Sequence, residues 1–113
     1  MANDVKYPFG NASTASLTAT GAQAITITDQ MTFIDGVTTQ ATGNRTINLT
    51  INESVKAGAT IHLRNKTSGT ETTTFGTGMT APVNTGESGK TYVQTFIYNG
   101  TSFFPIGSAL KID

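Results

Sequence analysis

The clearest pattern along this chain is an alternation of apolar and polar residues with a period of two, the mark of strands that have one dry face and one wet face. From Thr46 to Asn52, Ile47, Leu49 and Ile51 face one way while Thr46, Asn48, Thr50 and Asn52 face the other. Ala59 to Asn65 repeats the arrangement, with Ile61 and Leu63 inward and Thr60, His62 and Arg64 outward. Gln23 to Thr28 sets Ile25 and Ile27 against Thr26 and Thr28, Met31 to Ile34 forms another short run, and Glu71 to Phe75 continues the pattern. Threonine dominates from Leu17 onward, and its β-branching suits strands better than helices. No window sustains an apolar period of 3.6, although Glu53 to Ala59 has room for a single helical turn. Gly76 to Lys90 reads as a longer loop.

The densest apolar stretch is Thr91 to Gly107, where two runs of aromatic and β-branched residues flank Asn99-Gly100. Asn-Gly suits a two-residue type I′ turn, so a β-hairpin is predicted here. With that turn, Tyr98 lies opposite Thr101, Phe96 opposite Phe103 and Val93 opposite Ile106. One face then carries Tyr92, Phe96, Tyr98 and Phe103, and the other Val93, Ile97, Phe104 and Ile106. Both faces are apolar, which predicts that one packs on the chain's own core and the other on a neighbouring layer or subunit. Tyr92, Phe96, Tyr98 and Phe103 are the residues expected at an interface between subunits. Pro105 is expected to end or bulge the ladder, because it has no N–H to donate.

Turn signals punctuate the strands at Asp35-Gly36, Gly43-Asn44, Gly58, Ser68-Gly69, Gly76 with Gly78, and Gly86 to Gly89. That spacing predicts an all-β fold, a single antiparallel β-sandwich of jelly-roll type, over residues 17–113. No internal repeat is visible. Ahead of it, residues 1–16 are expected to form an N-terminal arm. Val5, Tyr7, Pro8 and Phe9 make an apolar cluster followed by a small polar run, and Pro8 biases Tyr7 toward an extended conformation suited to lying along another surface. These four residues are the expected anchor, against the alternatives of a frayed terminus or of rings that cover their own domain.

Composition narrows the partners. The 113 residues carry seven basic and seven acidic side chains, scattered along the chain, so no electrostatic footprint for nucleic acid or an anionic membrane exists. There is no cysteine, which excludes disulfides and thiolate chemistry. The start, Met-Ala-Asn-Asp, lacks an apolar run of the kind a secretory signal has, and synthesis in a cytosol is expected. His62, the only histidine, should face solvent beside Arg64 with no partner placed to form a relay. No carboxylate or histidine spacing suggests a metal, and Gly76-Thr-Gly78 lacks the residues of a phosphate loop. A non-enzyme without cofactor is therefore expected. Six Asn-x-Ser/Thr triplets occur, at Asn11, Asn44, Asn48, Asn52, Asn65 and Asn99, which a chain so rich in Asn and Thr generates by chance.

The run Thr95-Phe-Ile-Tyr-Asn-Gly-Thr-Ser-Phe-Phe-Pro-Ile-Gly107 resembles a closing element of bacteriophage fibre and virion β-domains, in which an apolar strand leads into Tyr-Asp/Asn-Gly-Thr, an aromatic residue and then Ile-Gly. Lys56 to Asn65 is similar to the Gly-x-Thr-apolar-x-Leu-x-Asn strand of the same domains. The aromatic residue is commonly Trp there and is Phe103 here. The resemblance implies a small oligomeric virion structural protein, a homotrimer above all. It would serve as a capsid decoration protein or head-fibre subunit held by its arm to phage capsid or fibre proteins. The alternative it implies is a fibre-tip module that recognises host glycans, for which Tyr92, Tyr98 and Phe103 would be the stacking platform.

Overall fold

The computed structural model describes residues 12–113. Ten strands lie in that range: β1 (Ala12–Ser16), β2 (Gly21–Ile27), β3 (Met31–Ala41), β4 (Arg45–Ile51), β5 (Thr60–Thr67), β6 (Thr72–Phe75), β7 (Asn84–Thr85), β8 (Thr91–Tyr98), β9 (Phe103–Pro105) and β10 (Leu110–Lys111). No helix occurs among these residues, so the fold is all-β as the alternation predicts. Segment 53–59 forms turns, closed by the Val55 N–H on the Asn52 carbonyl and the Ala59 N–H on the Lys56 carbonyl.

From β1 to β6 the chain changes sheet at every strand. β1, β3 and β5 run parallel in a first sheet, while β2, β4 and β6 run parallel in a second. Each pair, β1 with β2, β3 with β4 and β5 with β6, makes one coil stacked on the next, with Ala12 opposite Met31 and Met31 opposite Thr60. Antiparallel strands then close the stack. β8 adds to β5 and carries β9 and β10 on its far edge, and β7 adds to β6. Both sheets are thus mixed, which corrects the expected antiparallel jelly-roll arrangement. Alternation along a strand reports which face is buried and is blind to the direction of the neighbour, and the unequal steps from coil to coil leave no repeat to find.

A single core lies between the sheets. Ile25, Ile27, Ile47, Leu49 and Phe75 come from the second sheet and Ile34, Ile61, Leu63, Phe96 and Phe103 from the first, all buried. Burying side chains of this size is worth about 1.5–3 kcal/mol each, so these strands hold their register by their inward residues. Phe75 and Phe96 meet across the layers with ring centroids 5.1 Å apart.

Two boundaries differ from expectation. Ala12–Ser16, expected at the end of the arm, is strand β1, paired along its length with β3. Small alternating Ala, Ser and Thr side chains carry little apolar signal, and here the backbone ladder makes the strand. Within Gly76 to Lys90, β7 forms, and the segment ahead of it is tied to β9 by the Phe103 N–H on the Gly78 carbonyl and the Thr80 N–H on the Phe103 carbonyl.

The hairpin forms with a different register. Tyr98 lies opposite Phe103, Ile97 opposite Phe104 and Phe96 opposite Pro105. A type I′ turn needs positive φ at both central residues, and only Gly100 has it, at 99°. Instead the Asn99 carboxamide oxygen accepts the N–H groups of Thr101 and Ser102, at 2.8 and 2.9 Å, and the Asn99 N–H donates to the Ser102 carbonyl. The turn is therefore two residues longer, and a slip of two leaves every side chain on its predicted face. Ile106 donates to the Thr95 carbonyl, so the Phe96–Pro105 pair falls at a position where an antiparallel ladder asks for no N–H. Proline costs nothing there, and β9 ends on it.

Candidate functional site

The hairpin faces sort differently from the expectation about partners. Phe96 and Phe103 have no exposed surface and sit in the core, while Tyr92 and Tyr98 are half-buried on the same side. Tyr98 stacks on Phe103 at 4.9 Å and donates its hydroxyl to the Gly100 carbonyl. Phe96 and Phe103 have nothing to offer a second subunit. Tyr98 and Phe103 are likewise used up by each other rather than set out as a stacking platform. Of the two apolar faces, this is the one the chain's own core takes, because only this side meets the second sheet. The arm residues Val5, Tyr7, Pro8 and Phe9 lie outside the described residues.

The opposite face of the first sheet is left to solvent. Phe33, Phe104, Ile106 and Leu110 stand there at 37, 39, 56 and 61% exposure, with Met31, Val93 and Ile97 half-buried among them. Strand register sets them in adjoining rows, with Phe104 beside Ile97 and Leu110 beside Val93. A hollow of about 330 Å³ on this face is lined by Ala12, Thr14, Met31, Phe33 and His62. Exposed His62 stands on the same face between Thr60 and Thr95, each hydroxyl 3.4 Å from a ring nitrogen.

At one end of this face Arg64 and Asp35 form an ion pair, with Lys66 beside them. Arg64 donates to Asp35 at 3.1 Å and lies 5.8 Å over the Phe33 ring, while Lys66 follows it on β5. Asp35 also accepts the Thr38 hydroxyl at 2.6 Å and the Val37 N–H at 2.9 Å. These donors, the Thr38 hydroxyl first, hold its carboxyl well below the usual carboxylate range. The bonds cap a bulge, since Val37 to Gln40 stand where β5 has only Lys66 between Asn65 and Thr67.

Behind the bulge is a buried cation. Arg45, 2% exposed, reaches from β4 across the core, where one terminal nitrogen donates to the Thr18 and Thr39 carbonyls and the other to the Gly36 and Lys66 carbonyls and to Asn65 Oδ1. Asn65 in turn donates to the Thr73 hydroxyl. Burial pushes the guanidinium pKa down and nearby Glu71 opposes that. Among the described residues no carboxylate touches it, and carbonyl dipoles take the place of a counter-ion. Its role is to tie the two sheets together at the bulge. The alternation of β4 held the clue, because Arg45 is in phase with Ile47 and Leu49 and so belongs inside.

The asparagines of the chance triplets that lie among the described residues have structural work. Asn44 Oδ1 accepts the Thr72 N–H and Asn48 Oδ1 the Thr77 N–H, both from the next coil, while Asn52 caps its own turn at Ser54. Among the described residues no group of three His, Cys, Asp or Glu side chains gathers as metal ligands would. No protein-family model, no curated protein and no solved structure matches this chain.

Proposed function

We propose that this chain is a structural subunit of a bacteriophage virion, a capsid decoration or head-fibre protein, that assembles with copies of itself. The observation that carries the reading is the bare apolar face of the first sheet, built by Phe33, Phe104, Ile106 and Leu110 around Met31, Val93 and Ile97. Contiguous apolar surface of this kind on a small protein marks a contact surface. Its charges are few: the Asp35–Arg64 pair is self-neutralising, and Lys66 stands at one end of the face, which keeps like-charge repulsion between two copies small. A trimer is the expected assembly and a dimer the runner-up. The interface proposed from the sequence thus moves from the core side of the hairpin to its outer side.

Attachment to the particle is assigned to residues 1–11, whose Val5, Tyr7, Pro8 and Phe9 supply apolar side chains for contact with another protein. Sedimentation at rising protein concentration tests the assembly, with a trimer expected; a chain that stays monomeric at the highest concentration overturns it. Co-sedimentation with phage heads tests the attachment, and loss of residues 2–11 should abolish it.

A further inference from the structure

The connection from β8 to β9 turns at Asn99-Gly100, and Asn99 is the only asparagine of the chain that a glycine follows. Both residues are exposed. The Asn99 carboxamide oxygen accepts the N–H groups of Thr101 and Ser102 at 2.8 and 2.9 Å, so two backbone donors polarise Cγ and fold the side chain back over the turn. Its nitrogen, Nδ2, has no hydrogen-bond partner among the described residues, and neither has the Gly100 N–H. Nothing lies within 4 Å of where a side chain on Gly100 would stand, so no neighbour crowds it. A polarised amide carbon is an electrophile, and the next backbone nitrogen can close a five-membered ring with it. Paired N–H donors on the oxygen are what stabilises the charge of the tetrahedral intermediate between them.

We propose that Asn99-Gly100 is a self-modifying site, at which the folded turn promotes conversion of Asn99 to aspartate and isoaspartate through a succinimide. Hydroxide removes the Gly100 N–H proton, the nitrogen bonds to Cγ, and the negative charge passes to Oδ1 beneath the Thr101 and Ser102 N–H groups. The Cγ–Nδ2 bond then breaks, and Nδ2 takes a proton from water and leaves as ammonia. One water opens the ring at either of its carbonyls, with no net oxidation or reduction. Opening one way leaves aspartate, which keeps the acceptor for both N–H groups. Opening the other way leaves isoaspartate, whose backbone runs through Cβ and Cγ, so the turn gains a methylene and its acceptor is displaced. β9 is short and its Phe103 sits in the core, stacked on Tyr98 at 4.9 Å, so isoaspartate loosens the hairpin. Asp35-Gly36 is not equivalent: its carboxylate, bound to Arg64 and Thr38, is a poor electrophile, and Gly36 is packed under Leu17 and the Arg64 carbonyl. The chemistry is confined to one chain, so it stands or fails without regard to assembly.

The test holds the full chain in warm, mildly alkaline buffer, folded and in parallel unfolded in guanidinium chloride, with samples digested by trypsin over several weeks. Peptide 91–111 holds no other asparagine, and its fragmentation separates residue 99 from Gln94 and aspartate from isoaspartate. Conversion at Asn99 should be about tenfold faster in the folded chain than in the unfolded one, a part of what oxyanion donors give in enzymes. Asn99→Asp, which keeps the acceptor, should melt with the parent, and the isoaspartate form should melt below both. The proposal is overturned if the folded chain converts no faster than the unfolded chain. It is equally overturned if Asn44, Asn48 and Asn52 convert in the folded chain as fast as Asn99, or if the isoaspartate form melts with the parent.

Discussion

At the residue scale, Arg45 binds more buried backbone acceptors than its sequence neighbours suggest, holding four carbonyls and Asn65 Oδ1. Replacing it with Met keeps the apolar stem and strips the donors from four carbonyls and Asn65 Oδ1. Leaving such acceptors buried and unpaired should cost about 3 kcal/mol, read from urea unfolding. Lysine should recover little of it, because a single ammonium cannot span the same acceptors. Asp35 makes a different prediction. Its folded pKa lies below the unfolded value of about 3.9, so its stabilisation is complete above that value and is lost as pH falls through it toward the folded pKa. Asp35→Asn should cost about 2 kcal/mol at neutral pH, and the gap between variant and parent should close below about pH 4. Melting curves across that range would refute the idea if the gap stayed constant. Asp35-Gly36 marked a local irregularity in the sequence, but the ion pair with Arg64 was not visible there, since the two become neighbours only through the pairing of β3 with β5.

At the scale of elements, most strands were legible and their partners were not. The inward residues of β2, β4 and β5 are those the alternation names, because a buried face imprints itself on every second residue. β1 was missed for want of apolar residues. Its membership of the sheet yields a sharp contrast between two truncations. Removing residues 2–11 should leave the melting temperature unchanged, as an anchor requires. Extending the cut to residue 16 removes β1, the bond between Ser13 and Thr32 and the covered edge of β3. That loss should lower the melting temperature by about 5 °C, the equivalent of roughly 1 kcal/mol in a domain of this size. Equal melting temperatures for the two truncations would show that β1 contributes nothing, and a drop already with the shorter cut would count against the anchor.

For the whole molecule, the two sides of the hairpin separate folding from assembly. Phe96→Ser empties a core position and should cost about 4 kcal/mol or more, a large share of the stability of a small domain. Phe33→Ser with Phe104→Ser alters only the outer face, and should leave thermal stability of the single chain nearly intact while shifting the sedimenting species toward monomer. An unchanged assembly state in that double variant would remove the face from the interface.

The all-β class, the strands with strong alternation, the hairpin and the sorting of its residues onto two faces were all legible in the order of residues alone. Each of these depends on local conformation and on a period of two, which survives even a slip of two in register. Which hairpin face meets the core, the stacking of the strands in parallel coils and the place of Arg45 across the two sheets emerge only once the whole chain is packed. Those outcomes depend on which strand lies beside which, and pairing energy resides in backbone groups that are alike at every residue. Direction and order of strands are settled when the whole set of inward side chains finds one arrangement that buries them together.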